Sequence, residues 1–164
     1  MPKEILADQL AKYFCGLRFE DLGKEHVANM KGYILDWLGS AYAGRDLPPV
    51  RMMRSVAGSL GGKPESTSIP DGTKTSCILA ALVNGATSHV VEMDDLHRES
   101  ILHPACAILP AVLALGERQH APGRDLILAA SAGYEVGIRV ALAVGTSHYY
   151  SWHTTATCGT YGAA

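Results

Sequence analysis

Two polar segments interrupt an otherwise apolar sequence, and both are rich in side chains that can transfer protons. The first, residues 89–103, reads HVVEMDDLHRESILH, and the second, residues 148–160, reads HYYSWHTTATCGT. Carboxylates and imidazoles are costly to place beside a hydrophobic core, so their crowding here predicts a functional site. Histidine suits acid and base roles near neutral pH, and neighbouring carboxylates orient it or tune its pKa.

Several polar residues also have a purely structural interpretation. Asp94 or Asp95 could simply cap or end a helix in solvent. We interpret the remaining polar features as structural. His26, His120 and His148 would be structural histidines whose hydrogen bonds are satisfied, and Asn84-Gly85 would be a kink or close-packing point. Tyr134 and Glu135 would be internal hydrogen-bonding partners, and Arg139 would pair with such an acid.

Composition narrows the class of protein. Hydrophobic residues make up 48% of the 164 residues, charged residues only 18%, and the net charge is −2. Without clustered basic charge we expect neither nucleic acid nor an anionic membrane as a partner.

The four cysteines form no CxxC pair and are expected to be buried, reduced thiols. Residues 1–10 lack the apolar stretch of a secretory signal, and Pro104–Gly116 is too short to span a bilayer, so a cytoplasmic location is expected.

The spacing of apolar residues is helical along most of the chain and predicts an all-α bundle of six or seven helices. A loop dense in Gly, Pro, Ser and Thr covers residues 61–72, with at most a short strand at residues 66–69. We find no period-two pattern long enough for a sheet of three or more strands. The predicted helices cover residues 5–17, 27–44, 48–60, about 76–93, 104–119 and 123–144, with a further one starting near Thr157.

Three separated motifs, in order, carry a family resemblance. They are NGATSHVVEMDDLHRESILHP, GRDLILAASAGYEVGIRV and WHTTATCGTYGAA. Together they resemble the MmgE/PrpD family of 2-methylcitrate dehydratase-like enzymes, and the match spans nearly the whole chain. The resemblance implies the family's N-terminal helical domain. It also implies a cofactor-independent lyase or isomerase that dehydrates, decarboxylates or epimerises small polycarboxylic acids by acid/base proton transfer.

The resemblance also assigns roles to residues of the two polar segments. His103 and His153 become the acid/base candidates, and Asp94 joins them as a catalytic residue. Both imidazoles should then face one cavity together with Asp94 or Asp95. The implied substrate-binding residues are Glu92, Asp95, His97 and Arg98. Arg98 is the only arginine of the first segment, whereas a substrate with several carboxylates needs more than one cationic partner.

Family members are longer and add an α+β domain with further basic residues. We therefore expect residues 1–164 to form a single helical domain of a longer two-domain enzyme, without that second domain and with half of an active site. Whether the chain alone is an enzyme stays open. No cofactor or metal is expected, and the apolar composition, together with the family's dimers, predicts a homo-oligomer, most simply a dimer.

Two other functions fit the same residues. The first is a metal-dependent hydrolase, in which five side chains of the first segment would be ligands: His89, Asp94, Asp95, His97 and His103. The glutamate–histidine spacing of HExxH is absent from the segment. The second is a non-catalytic scaffold, a folded and self-associating domain without a complete active site.

Overall fold

Seven α-helices and one two-stranded antiparallel ribbon make up the computed structural model, which describes residues 5–164. The all-α prediction is confirmed, and the described residues contain no larger sheet. The interpretation of residues 1–10 rests partly on residues outside this range. The elements are α1 Leu6–Gly16, α2 Lys24–Gly44, α3 Pro48–Leu60, β1 Ser66–Thr67, β2 Lys74–Thr75, α4 Cys77–His89, α5 Pro104–Gln119, α6 Gly123–Val144 and α7 Thr154–Ala163.

Local sequence explains where several helices begin. α3 and α5 both start at a proline, which fits the first turn because its missing N–H would have no partner there. Ser76 caps α4, and its hydroxyl accepts the backbone N–H of Leu79 at 3.4 Å. The helices therefore start where the prolines and the capping serine predict.

α2 begins at Lys24, three residues before its predicted start, and two further differences from the predicted helix limits concern the candidate site. α4 ends at His89 instead of near Met93, and the backbone at Glu92 has a left-handed φ of 52°, which takes the acidic segment off the helix axis. α7 begins at Thr154, about one turn before Thr157, because the N–H of Thr157 already bonds the carbonyl of His153 at 3.1 Å. His89 and His153 therefore lie at helix ends.

The core is built around α5. Its buried residues pack against α2 on one side and α6 on the other, and burying such side chains is the main term that stabilises the bundle. The buried members of this cluster are Met30, Trp37, Ala105, Ile108, Leu109, Ile127, Ala130 and Tyr134. α6 is also long and apolar enough to cross a membrane, a property that buried core helices share. α6 packs against α5 and α7, and its buried residues include Ile127, Ala130 and Tyr134.

Small residues let the helices that carry the site approach closely. A Cβ added at Gly85 of α4 would lie 3.0 Å from the carbonyl oxygen of Cys106 in α5, so Gly85 is a close-packing point. A Cβ at Gly133 of α6 would lie 2.5 Å from the carbonyl oxygen of Gly162 in α7. Gly85 thereby allows α4 to pack closely on α5, and Gly133 allows α6 to pack closely on α7.

Candidate active site

Asp94 lies at the centre of the candidate site, with its side chain fully buried. Nδ1 of His89 lies 3.0 Å and 3.1 Å from the two oxygens of this carboxylate. Nδ1 of His103 lies 3.6 Å from one of the same oxygens and 3.3 Å from the backbone carbonyl of Asp94. One buried acid therefore contacts two imidazoles, one from the end of α4 and one from the start of α5.

Charge stabilises the contact between His89 and Asp94. The hydrogen bond to Asp94 raises the pKa of His89 above its ordinary value, against the opposing effect of burial. Burial by itself would raise the pKa of Asp94, but the hydrogen bond and the charge of His89 outweigh burial and lower it. An opposite charge at hydrogen-bond distance favours the charged form of both partners. The geometry therefore favours a protonated His89 beside an ionised Asp94.

His103 is held so that one ring nitrogen remains available. Its backbone N–H donates to the Thr155 hydroxyl at 3.1 Å, which ties the start of α5 to the start of α7. A neutral His103 that donates Nδ1–H to the Asp94 carbonyl presents its Nε2 lone pair as a proton acceptor. The arrangement suits a general base or, once protonated, a general acid.

A third imidazole, His153, stands at the start of α7. Its ring centre lies 6.1 Å from that of His89, and the rings of His89 and His103 are 5.0 Å apart in an edge contact. His89 and His153 line a cavity of about 430 Å³. His103, Asp94 and Asp95 do not line it, so the prediction that His103 and His153 face one cavity together with Asp94 or Asp95 is not met, although the ring of His103 contacts that of His89. The other lining residues are Gly85, Ala86, Cys106, Ala107, Thr155, Ala156, Gly159, Thr160 and Ala163.

Asp95 points away from this cluster although it directly follows Asp94. One carboxylate oxygen accepts the backbone N–H of Ala105 at 2.9 Å, and the other accepts the Tyr134 hydroxyl at 2.8 Å. Asp95 therefore caps the first turn of α5 and binds α6, and Tyr134 is the internal hydrogen-bonding partner that its sequence context predicts. Burial raises the pKa of Asp95 and the pKa of Tyr134.

The other residues implied to bind substrate lie at the margin of the cavity or outside it. Nδ1 of His97 lies 2.8 Å from the Ser100 hydroxyl, and the ring opens on a second cavity of about 300 Å³ that Asp95 also lines. Arg98 is exposed on a short 3₁₀ turn. Glu92 is exposed, with one oxygen 3.7 Å from Nε2 of His89. Of the four residues implied to bind substrate, Glu92, Asp95, His97 and Arg98, only Glu92 lies close to an imidazole of the cluster.

Sequence reasoning missed His89 as part of the acid/base site and considered it only as a metal ligand. The available signal was a histidine in the last turn of a helix, followed after five residues by an acid that can fold back on it. The four cysteines are free, but only Cys106 and Cys158 are buried as expected, whereas Cys77 is half-buried and Cys15 is exposed. Sequence reasoning did not place Cys106 beside the site. Burial and the charge of Asp94 raise the pKa of its thiol far above the ordinary value, so the thiol stays protonated and is a poor nucleophile.

The geometry does not assemble the five ligands of the hydrolase alternative. Asp95 and His97 have other partners, while donor atoms of His89, Asp94 and Cys106 lie within 4.8 Å of one another. Within this trio, the His89 imidazole and the Asp94 carboxylate already contact each other at hydrogen-bond distance. A hydrogen-bonded acid–imidazole cluster describes these side chains better than a metal centre.

Most of the residues interpreted as structural have partners of their own. Nε2 of His26 lies 2.9 Å from the Ser131 hydroxyl, and Nε2 of His148 lies 2.8 Å from the Thr157 hydroxyl. Arg139 pairs with Glu135 at 2.8 Å as expected, but both side chains are exposed, so Glu135 is not the internal partner that its sequence context predicted. His120 is exposed at the end of α5, which does not make it the satisfied histidine that was expected. The Asn84 side chain bonds the backbone of Thr67 and Ile69, a role that the interpretation of Asn84-Gly85 as a kink or close-packing point did not include.

Comparison with known proteins shows which proteins this chain is similar to. It is 29% identical to a cis-aconitate decarboxylase of Aspergillus terreus over 164 residues, covering 96% of this chain and 34% of that protein. It is 30% identical to the same-named protein of A. terreus strain NIH 2624 / FGSC A1156, covering 92% of this chain and 32% of that protein. Human cis-aconitate decarboxylase is 27% identical, covering 80% of this chain and 28% of that protein.

The chain therefore spans about a third of the length of these curated relatives. The sequence profile of the MmgE/PrpD N-terminal domain matches residues 8–164, which is nearly every residue of the chain. The helical bundle and the order of its motifs agree with that match, and the chain belongs to the MmgE/PrpD family as its N-terminal domain.

Proposed function

We propose that this chain supplies the helical half of the active site of a lyase that decarboxylates a small unsaturated tricarboxylate of the cis-aconitate type. The observation that carries the proposal is the buried Asp94 carboxylate, which contacts the imidazoles of His89 and His103 beside a cavity lined by His153. The three relatives named as cis-aconitate decarboxylases favour decarboxylation over the dehydration and epimerisation that the family resemblance leaves open.

The reaction needs a proton donor that is positioned accurately. Breaking the bond to the departing carboxylate releases CO₂ and leaves its electron pair on the carbon framework, where a proton must be added to complete the product. His103 and His153 are the candidates to deliver that proton. Asp94 holds the ring of His103 through Nδ1, which leaves Nε2 as the nitrogen that can carry the proton. Asp94 is thereby a positioning residue.

The substrate's several carboxylates require more positive charge than the described part of the site offers. Arg98 lies outside the cavity, and the described lining residues include no lysine or arginine. The relatives are about three times as long as this chain. We assign the missing cations to a second domain beyond the sequence described here, and the two domains would close the cavity between them.

The test is an assay of the polypeptide that the complete reading frame encodes. Incubation with cis-aconitate should release CO₂ and form a five-carbon unsaturated diacid, both detectable by NMR with ¹³C-labelled substrate. The variant His103→Ala should lose about 10²-fold or more in kcat, as expected for an acid/base group. The matched control, His120→Ala, changes an exposed histidine outside the site and should keep full activity.

Two results would contradict the proposal. A folded, complete protein that releases no CO₂ from cis-aconitate would refute decarboxylation, and formation of a dehydrated product from 2-methylcitrate would assign the protein to the dehydratases. A loss of only a few-fold in His103→Ala would leave His103 with a packing role.

A further inference from the structure

We propose that His89 is the carboxylate-binding cation of the cavity, with its Nε2–H donating to a carboxylate of the substrate while Asp94 holds Nδ1. This inference rests on the proposed function and adds a residue that recognises the substrate. His89 thereby supplies positive charge that the described lining residues otherwise lack, since they include no lysine or arginine.

Geometry fixes the ring and leaves one nitrogen available. Nδ1 of His89 contacts both oxygens of Asp94, at 3.0 Å and 3.1 Å, which sets the plane of the imidazole. Nε2 then points away from Asp94, and its nearest acid is the exposed Glu92 at 3.7 Å, beyond hydrogen-bond distance. A substrate carboxylate in the cavity can approach this nitrogen more closely than Glu92 does.

The charged and titratable groups around His89 favour its protonated form. Asp94 and Glu92 face it from the acidic segment, and both attract a proton to the ring. From α5 it meets His103 and the neutral thiol of Cys106, and from the start of α7 it meets His153. The raised pKa of His89 reflects the acids, Asp94 above all. Among these imidazoles, His89 is therefore the one whose contacts favour the cation.

The specific expectation concerns how the substrate's KM depends on pH. Hydrogen bonds to a charged group are worth more than those between neutral groups, and losing the charge here should raise KM by about 10- to 100-fold. In the unaltered protein KM should rise as pH increases through the pKa of His89, above 6.5. The variant His89→Gln keeps an N–H donor but cannot be protonated, so its KM should already be high and should not show this rise.

The experiment uses the complete protein, with His120→Gln as the matched control. KM and kcat for cis-aconitate are measured between pH 5.5 and about 9, and the His89→Gln effect should fall mainly on KM. An unchanged KM profile in His89→Gln, together with a large loss in His103→Ala, would overturn this inference and leave the proposed function standing.

A second readout does not depend on turnover or on the folding of a variant. The ring resonances of ¹³C-labelled histidine in the unaltered protein are titrated with and without cis-aconitate. Bound carboxylate should raise the pKa of His89 further, whereas His120 should be unaffected. A His89 titration that cis-aconitate does not change would also overturn the inference. If His89 responds but no CO₂ is released, the carboxylate site stands and the proposed reaction fails.

Discussion

Replacing Asp94 by Asn tests whether one buried charge organises the two imidazoles. Asn has almost the same shape as Asp, so packing is retained and the negative charge between His89 and His103 is removed. Breaking a fully buried ion pair costs about 3–5 kcal/mol when the remaining charge stays buried. The His89 side chain is 24% exposed and can lose its proton, so the cost should be smaller. The difference between a charged and a neutral hydrogen bond, about 1–2 kcal/mol, is the expected loss in the free energy of unfolding.

The pH dependence of that loss follows from the directions of the two pKa shifts. Asp94 has a lowered pKa when folded, so its contribution is present above about pH 3.8 and is lost as pH falls through the lower, folded value. His89 has a raised pKa when folded, so its contribution is complete below 6.5 and is lost as pH rises through the higher, folded value. The difference in the free energy of unfolding between the unaltered chain and Asp94→Asn should therefore be largest between about pH 4 and pH 6.5.

Urea unfolding of the 164-residue chain, followed by circular dichroism at several pH values from 4 to 9, measures this difference. Glu20→Gln, a carboxylate-to-amide change on an exposed residue, is the control and should alter stability by at most about 0.5 kcal/mol. A loss in Asp94→Asn that is the same at every pH would refute the charged pair. Packing or the shape of the amide would then be the cause.

Two substitutions and one measurement of self-association test other parts of the structure. Tyr134→Phe should destabilise the chain by about 1–2 kcal/mol, since Asp95 loses a buried hydrogen bond, and urea unfolding would show no shift if that bond were unimportant. Gly133→Ala should cost about 1–3 kcal/mol in a thermal or urea melt, because the new Cβ would meet the backbone of Gly162; unaltered stability would mean that α6 and α7 are less closely packed. The exposed apolar side chains of α1 and neighbouring helices should drive dimer formation, which sedimentation at increasing protein concentration would detect; a persistent monomer would contradict it.

Most of the helical architecture could be predicted from local sequence. Prolines at the start of α3 and α5 and Ser76 before α4 act within one helical turn, and the apolar spacing of α5 and α6 predicted both of their limits. The predictions were less accurate where side-chain contacts from distant parts of the chain compete with helical hydrogen bonding. α4 stops at His89, before Asp94 and Asp95, which bond to partners on α4, α5 and α6 instead of extending the helix.

The sequence by itself determined which two segments carry the polar residues and that histidines and acids would meet near helix ends. Only the tertiary structure decided which residues Asp94 and Asp95 contact. Asp94 and Asp95 are neighbours, yet one contacts His89 and His103 and the other caps α5, because an irregular loop has no repeating dihedral angles to fix the direction of its side chains. His153, fifty residues after His103, joins the cluster because α7 packs against α5 and α6, and no local pattern records that packing.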